Sequence, residues 1–254
     1  MSVKQPVIFI HGLWLLSSSW ARWADLFGRE GLEAVAPEWP DDAHIANVAS
    51  HYEKVARAFP RKPVIVGHSF GGLLAQILAG RGCSAATVAI APAPFQGVLP
   101  LPFSALRSAW PVLGNPANRN RAVPLTFEQF HYAFANAVDD EEAKALFEEF
   151  AVAAPGKPLF QAATANFDPW SEDKVDTGNP ERGPLLLISG EKDHTVPPAV
   201  VNASFKLQQR NPGVTEIVHV PDRGHALTID GGWEEIAKMS LAFVKRFVGA
   251  REMA

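Results

Sequence analysis

Short apolar runs of strand length alternate along this chain with longer segments that have the apolar spacing of helices. The strand candidates are rich in Val, Ile and Leu: Val7–Ile10, Ala34–Ala36, Val64–Val66, Thr87–Ala91, Leu185–Ser189 and Glu216–Val220. The helix candidates are 19–30, 45–59, 70–81, 198–210 and 232–248. Strands that are continuously apolar are typical of parallel sheets covered by helices on both faces. The alternation therefore predicts a mostly parallel, doubly wound α/β sheet.

One connection in this pattern is much longer than the others. Residues 92–184 separate the fourth strand candidate from the fifth, whereas a crossover needs only about 10–12 residues. Within it, "TFEQ" at 126–129 has the form of a capping box, and "DDEE" at 139–142 places acid at the start of a second helix. We expect a helical cap over residues 95–180, inserted into a core formed by 1–94 and 181–254. A peripheral insertion unrelated to any site is the alternative.

Composition excludes several classes of function. The chain has 254 residues and a formal charge of -4 without a basic stripe, so we expect no nucleic-acid partner. Cys83 is the only cysteine, which rules out an internal disulfide bond. No apolar stretch has the length of a membrane span, and the first residues lack the layout of a secretion signal. We therefore expect a cytoplasmic protein that does not bind membranes; the sequence does not predict its oligomeric state.

The segment "GHSFGG" at 67–72 follows the strand "PVIV" and precedes the helical pattern "LLAQILA". Ser69 should therefore lie on a sharp strand-to-helix turn, where small neighbours permit a strained backbone. The carboxyl end of a strand is also where open α/β sheets bind ligands. This context favours a nucleophile, and the alternative is a serine that caps the helix beside packing glycines.

A serine hydroxyl needs a base to act as a nucleophile at neutral pH. His225, in "PDRGHAL", follows the sixth strand candidate, so it can approach Ser69 from a carboxyl strand end. His219 falls within a strand and is expected to be structural, and His68 adjoins the serine but should point away from it. No pair of histidines has the spacing of metal ligands with acidic support, so we expect no metal.

The base in turn needs a carboxylate to orient it. Asp193, in "GEKDHTVP", follows the fifth strand candidate and fits this role best by placement. Its alternative role is to cap the helix that starts near Pro197. The rival carboxylates are Glu191, Asp168 and Asp222.

The order Ser69, Asp193, His225 is that of the α/β-hydrolases, and the chain resembles this family over essentially its whole length. "HGLW" at 11–14 resembles the oxyanion loop of the family, "GHSFGG" its nucleophile elbow, "GEKDHTVP" its acid loop and "GHAL" its histidine loop. The resemblance implies an oxyanion hole formed by the backbone N–H groups of Leu13 and Phe70. His11 is expected to brace the loop rather than to act as a base.

The chain departs from the family pattern in three respects. Few residues precede Val7, so the hairpin that commonly opens the fold should be missing, leaving about six strands in the order 2-1-3-4-5-6. The nucleophile position holds Ser rather than Asp, which argues against dehalogenase and epoxide hydrolase chemistry. The Gly-rich oxyanion stretch of lipases is also absent, since Leu13 follows Gly12.

The resemblance implies a serine esterase that acts through an acyl-enzyme without a cofactor. Its aromatic residues favour a small or medium, mainly apolar carboxylic ester as the substrate. Aromatic residues near the motifs and in the cap are expected to form its substrate pocket: Trp14, Phe95, Trp110 and Phe160. The same triad would serve a thioesterase, a lactonase or a cofactor-free perhydrolase. A non-catalytic ligand-binding protein on this fold is the alternative from a different class.

Overall fold

The computed structural model describes residues 4–248 of the chain. The strands of its main sheet are β1 (Pro6–Ile10), β2 (Glu33–Val35), β3 (Val64–His68), β4 (Ala86–Ile90), β7 (Leu185–Gly190) and β8 (Thr215–Val220). This sheet is parallel throughout, with the strand order β2-β1-β3-β4-β7-β8. The two remaining strands, β5 (Ala122–Val123) and β6 (Ala154–Pro155), form a separate antiparallel pair. The expected strand order is confirmed.

Helices cover both faces of the sheet. Those of the core are α1 (Ala21–Arg29), α2 (Ile45–Ala58), α3 (Phe70–Gly80), α8 (Pro198–Gln208) and α9 (Trp233–Val248). Every residue of β1, β3, β4 and β7 is buried, which explains why these strands are continuously apolar rather than alternating. All residues of α3 are buried as well, so the helix that follows the nucleophile candidate lies in the interior of the fold.

The long insertion between β4 and β7 contains four α-helices among its described residues: α4 (Phe103–Leu113), α5 (Phe127–Ala133), α6 (Asp140–Phe150) and α7 (Lys157–Thr164). The capping box predicted at Thr126 is present, since its hydroxyl accepts from the amide of Gln129 and the Gln129 side chain accepts from the Thr126 amide. Asp139 caps α6 by accepting from the amide of Glu142. Both helices therefore begin where the sequence predicts.

No helix among residues 4–248 combines the length and the apolar character needed to cross a bilayer.

Candidate active site

Ser69 lies on the sharp turn between β3 and α3. Its backbone has φ 56° and ψ -120°, a conformation that costs a non-glycine residue energy. Glycines make the turn possible by close approach: a Cβ on Gly71 would lie 2.0 Å from the carbonyl oxygen of Ile10, and one on Gly67 would lie 2.0 Å from that of Gly71. The sequence "GHSFGG" therefore has small residues where the backbones of β1 and α3 meet.

The side chains of His225 and Asp193 form a fully buried pair. Nδ1 of His225 lies 2.7 Å from Oδ2 of Asp193, and neither side chain is exposed to solvent. The other carboxylate oxygen, Oδ1, accepts from the backbone N–H groups of Thr195 and Val196, at 2.7 Å each. Asp193 thus holds its own loop and faces His225 at the same time. Asp193 does not cap α8, the alternative that the sequence leaves open, since the two amides that it binds precede that helix.

His225 is fixed from several directions. Its carbonyl oxygen accepts from Nε2 of His68 at 2.9 Å, and the two imidazole rings lie 4.7 Å apart. The rings of Phe134 and His225 pack edge to face with 4.9 Å between their centres, and the Phe134 carbonyl accepts from the amide of Ala226. Nε2 of His225 is buried and has no hydrogen-bond partner within residues 4–248. That nitrogen is therefore free to accept a proton from a group that approaches it.

The loop after β1 passes directly against the serine. A Cβ on Gly12 would lie 2.7 Å from Cβ of Ser69 and 3.3 Å from its Oγ, so only glycine fits there. Leu13 follows it and is buried, and Trp14 has a positive φ of 62°. The Trp14 carbonyl accepts from the amide of Val152, and its indole N–H donates to Val123. Contacts with the insertion therefore hold this strained loop in place.

His11 braces the same loop, as expected. It is buried, and its Nδ1 donates to the carbonyl of Gly12 at 2.9 Å. Burial lowers the pKa of His11, while the Gly12 carbonyl and the Glu38 carboxylate act in the opposite direction. The ring also stacks on Trp39.

Phe70 opens α3 immediately after the serine. Its N–H belongs to the first turn, where a helix provides no intrahelical acceptor, and the positive end of the helix dipole lies at the same place. Together with the N–H of Leu13 it corresponds to the pair of donors expected for an oxyanion hole, which stays a prediction.

The rival carboxylates lie on the surface. Asp222 pairs with Lys192 at 2.6 Å, and Glu191 accepts from the amide of Asp222. Asp168 accepts from the amide of Trp170 in the insertion. None of the three hydrogen-bonds the His225 ring among the described contacts, whereas Asp193 does.

Residues 132–136, which we call the clamp segment, connect the insertion to the acid and histidine loops. The Ala133 carbonyl accepts from the hydroxyl of Thr195 at 2.6 Å, and the Tyr132 carbonyl accepts from Nδ1 of His194 at 3.0 Å. The Asn136 amide group donates to the Lys192 carbonyl at 2.7 Å. Sequence reasoning missed this segment, because these contacts mostly use backbone atoms, which leave no signature in residue type.

The aromatic residues expected to form a substrate pocket have different environments. Trp14 and Phe95 are buried, and Phe160 is half-buried against the core. Trp110 is 69% exposed and lines a groove of about 590 Å³ on the insertion. The surface of the groove is mainly apolar, although its other lining residues are a mixture of apolar and polar types: Phe103, Leu106, Arg107, Ser108, Pro111, Glu128, Gln129 and Tyr132.

This groove adjoins the clamp segment through Tyr132. The guanidinium of Arg107 lies 3.9 Å from the centre of the Tyr132 ring, and the same ring contacts His194. One wall of the groove is therefore next to the loop that carries Asp193. Whether Trp14, Phe95, Trp110 and Phe160 bind substrate stays a prediction.

Metal chemistry has no visible site in the described part of the chain. No group of three or more His, Cys, Asp or Glu side chains among residues 4–248 is arranged to hold a metal ion.

A doubly wound parallel sheet, with a strained serine between a strand and a helix and a buried His–Asp pair on the loops after two other strands, is the arrangement of an α/β hydrolase. The chain belongs to the alpha/beta hydrolase family, whose sequence profile matches residues 7–239. No curated protein sequence matches it.

Solved structures with the same fold include three enzymes of low sequence identity. An esterase from Thermogutta terrifontis is 18% identical, with a TM-score of 0.69 over 97% of this chain and 92% of that one. A monoacylglycerol lipase from Paleococcus ferrophilus is 19% identical, with a TM-score of 0.65 over 94% and 93%. A pyrethroid hydrolase from Sphingobium faniae JZ-2 is 16% identical, with a TM-score of 0.67 over 96% and 98%. At these identities the likeness shows the fold alone.

Proposed function

We propose that this hydrolase is a serine esterase whose triad is Ser69, His225 and Asp193. The observation that carries the proposal is the buried 2.7 Å contact between His225 and Asp193, next to the strained turn that presents Ser69. A histidine held on one nitrogen by a buried carboxylate, with its other nitrogen unpartnered, has the arrangement of a general base.

In the proposed reaction, Ser69 Oγ attacks an ester carbonyl while His225 Nε2 takes the hydroxyl proton. The tetrahedral oxyanion is bound by the N–H groups of Leu13 and Phe70. His225 then gives its proton to the departing alcohol, which leaves an acyl-enzyme. A water molecule attacks the acyl carbonyl with His225 as base, which releases the acid and restores Ser69. Asp193 keeps the proton on Nδ1 and stabilises the imidazolium that forms.

The proposed substrates are small or medium, mainly apolar carboxylic esters. Support comes from the apolar groove that Trp110 lines and from its position beside the clamp segment. The names of the structural neighbours, an esterase, a monoacylglycerol lipase and a pyrethroid hydrolase, agree with ester chemistry. We further propose that residues 95–180 act as a cap that shapes specificity over the core of 1–94 and 181–254. A cytoplasmic location also stays a proposal.

A serine-reactive fluorophosphonate with intact-mass detection, followed by peptide mapping, tests the nucleophile. We expect a single adduct on Ser69 in the wild type and none in Ser69→Ala. With p-nitrophenyl esters, Ser69→Ala should lower kcat by roughly 10^5 to 10^6. The proposal fails if the variant keeps a tenth of its activity and the wild type carries no adduct at residue 69.

A substrate panel then separates ester hydrolysis from related reactions of the same triad. It contains p-nitrophenyl esters of increasing acyl length, lactones and acyl thioesters. We expect the highest kcat/KM on esters. A higher kcat/KM on lactones or thioesters would contradict the proposed substrate class, whereas the proposed triad would still hold.

A further inference from the structure

His68 is a buried histidine that the proposed reaction does not use. It ends β3, immediately before Ser69, and its side chain is completely buried. Its Nε2 lies 2.9 Å from the carbonyl oxygen of His225. A carbonyl oxygen only accepts, so Nε2 of His68 carries the hydrogen and donates it.

This hydrogen bond joins two sites that are far apart in the sequence. His68 and Ser69 are consecutive, so the bond ties the backbone of His225 to the residue next to the nucleophile candidate. The other two anchors of His225 come from different elements: Asp193 holds the ring from the loop after β7, and Phe134 holds the next amide from the insertion. Of these three anchors, only His68 connects His225 directly to the turn that carries Ser69.

We propose that His68 is a positioning residue that sets the distance between His225 and Ser69, and that it does so as a neutral imidazole with its proton on Nε2. This inference rests on the proposed function, since it assigns His68 a role in aligning that triad.

The surroundings of His68 favour the neutral form. Nδ1 is buried and has no hydrogen-bond partner among residues 4–248, so an N–H group formed there by protonation would have no acceptor. Burial lowers the pKa of His68 well below its usual value, and the neighbouring His225 acts in the same direction. A charged His68 would also place a positive group 4.7 Å from the imidazolium that forms on His225 during the reaction. Neutrality at this position thus supports base catalysis.

Three substitutions separate the hydrogen bond from the volume of the side chain. His68→Gln keeps an N–H donor near the position of Nε2. His68→Asn places its amide nearer to the position of Nδ1, too far back to reach the His225 carbonyl. His68→Met fills the space without a donor. His219→Gln is the control, because His219 is exposed on β8 and contacts Asn202 rather than the triad.

The measurements are kcat and KM per active site, titrated with the fluorophosphonate, the rate constant of Ser69 modification by that probe, and Tm. We expect His68→Met and His68→Asn to lower kcat per active site by about a hundredfold, the cost of a displacement of about 1 Å, with KM within about twofold. The rate of probe modification should fall in the same proportion. His68→Gln should recover most of the loss, to within about fivefold of the wild type.

Several results would overturn the inference. If Met or Asn keeps the wild-type kcat per active site, the bond has no part in alignment. If His68→Gln lowers kcat per active site as much as His68→Met does, the loss is not caused by the missing hydrogen-bond donor. If only Tm and the fraction of titratable sites fall, His68 is structural alone. Failure of the proposed function is a distinct result, because wild-type protein would then not react with the probe at Ser69.

Discussion

At the scale of single residues, the two carboxylate oxygens of Asp193 have different partners. Oδ1 accepts from two backbone amides of its own loop, so this oxygen is fixed, and Oδ2 is left to face His225. The orientation of the carboxylate is therefore set by the loop and not by the histidine. This arrangement determines what an amide at the same position would do.

Asp193→Asn should keep its oxygen on the loop amides and turn its NH₂ group toward His225. That group donates, so Nδ1 would have to accept and the proton would move to Nε2, which is the wrong tautomer for a base. We expect kcat on a good ester to fall by about 10^4, with Tm nearly unchanged. Steady-state kinetics with circular dichroism to verify folding provide the measurement.

The controls are Asp222→Asn, Glu191→Gln and Asp168→Asn, three exposed carboxylates that do not contact the His225 ring in the described contacts. The kcat of each of these variants should stay within about threefold of the wild-type value. If the kcat of Asp193→Asn stays within tenfold of the wild-type value while the kcat of one of these three variants falls by orders of magnitude, Asp193 is not the acid of the triad.

At the scale of secondary-structure elements, the insertion contacts the loops that carry the candidate acid and histidine. The clamp segment begins with the last two residues of α5. It binds the acid loop through Ala133 and Asn136 and the histidine loop through Phe134. Tyr132, the first residue of the clamp segment, also forms part of the apolar groove. The element that would bind substrate is therefore continuous with the element that holds the proposed base and acid.

Trp110→Ala tests whether this groove binds the acyl part of the substrate. Trp110 is 69% exposed, so its loss should leave Tm nearly unchanged. Removal of its apolar surface should lower kcat/KM for the longest acyl chains by about tenfold and leave acetate esters unaffected. Phe167→Ala is the matched control, since Phe167 is 89% exposed and lies outside the groove lining. Identical chain-length profiles for the two variants would mean that the groove does not select the acyl chain.

At the scale of the whole molecule, two buried histidines should make the free energy of unfolding depend on pH. His68 and His11 both have lowered pKa values, caused first by burial. In the unfolded chain they would titrate near the ordinary value of 6.5. Between that value and their folded pKa values, the unfolded state binds more protons than the folded state, so protonation favours unfolding.

The free energy of unfolding should therefore decrease as the pH falls from about 7 toward 5, by up to about 1.4 kcal/mol per pH unit for each of these histidines. Urea unfolding at a series of pH values measures this slope. His68→Gln removes one titrating group and should make the slope shallower by about one proton. A free energy of unfolding that is constant over this range, or equal slopes in the two proteins, would contradict the prediction.

The sequence by itself determined the sheet, because its four central strands are buried on both faces and therefore appear as uninterrupted apolar runs. It also determined the elbow at Ser69 and both capped helices of the insertion, since glycines and capping residues act on their immediate neighbours. The pairing of β5 with β6 was not predicted, because strands of two residues carry no periodicity. Only the tertiary structure decided that Asp193 rather than Asp222 meets His225, that residues 132–136 clamp their loops and that His68 reaches the His225 carbonyl. The physical reason is the same for each contact. The residues are distant in the chain and often meet through backbone atoms, so only the packing of the folded protein brings them together.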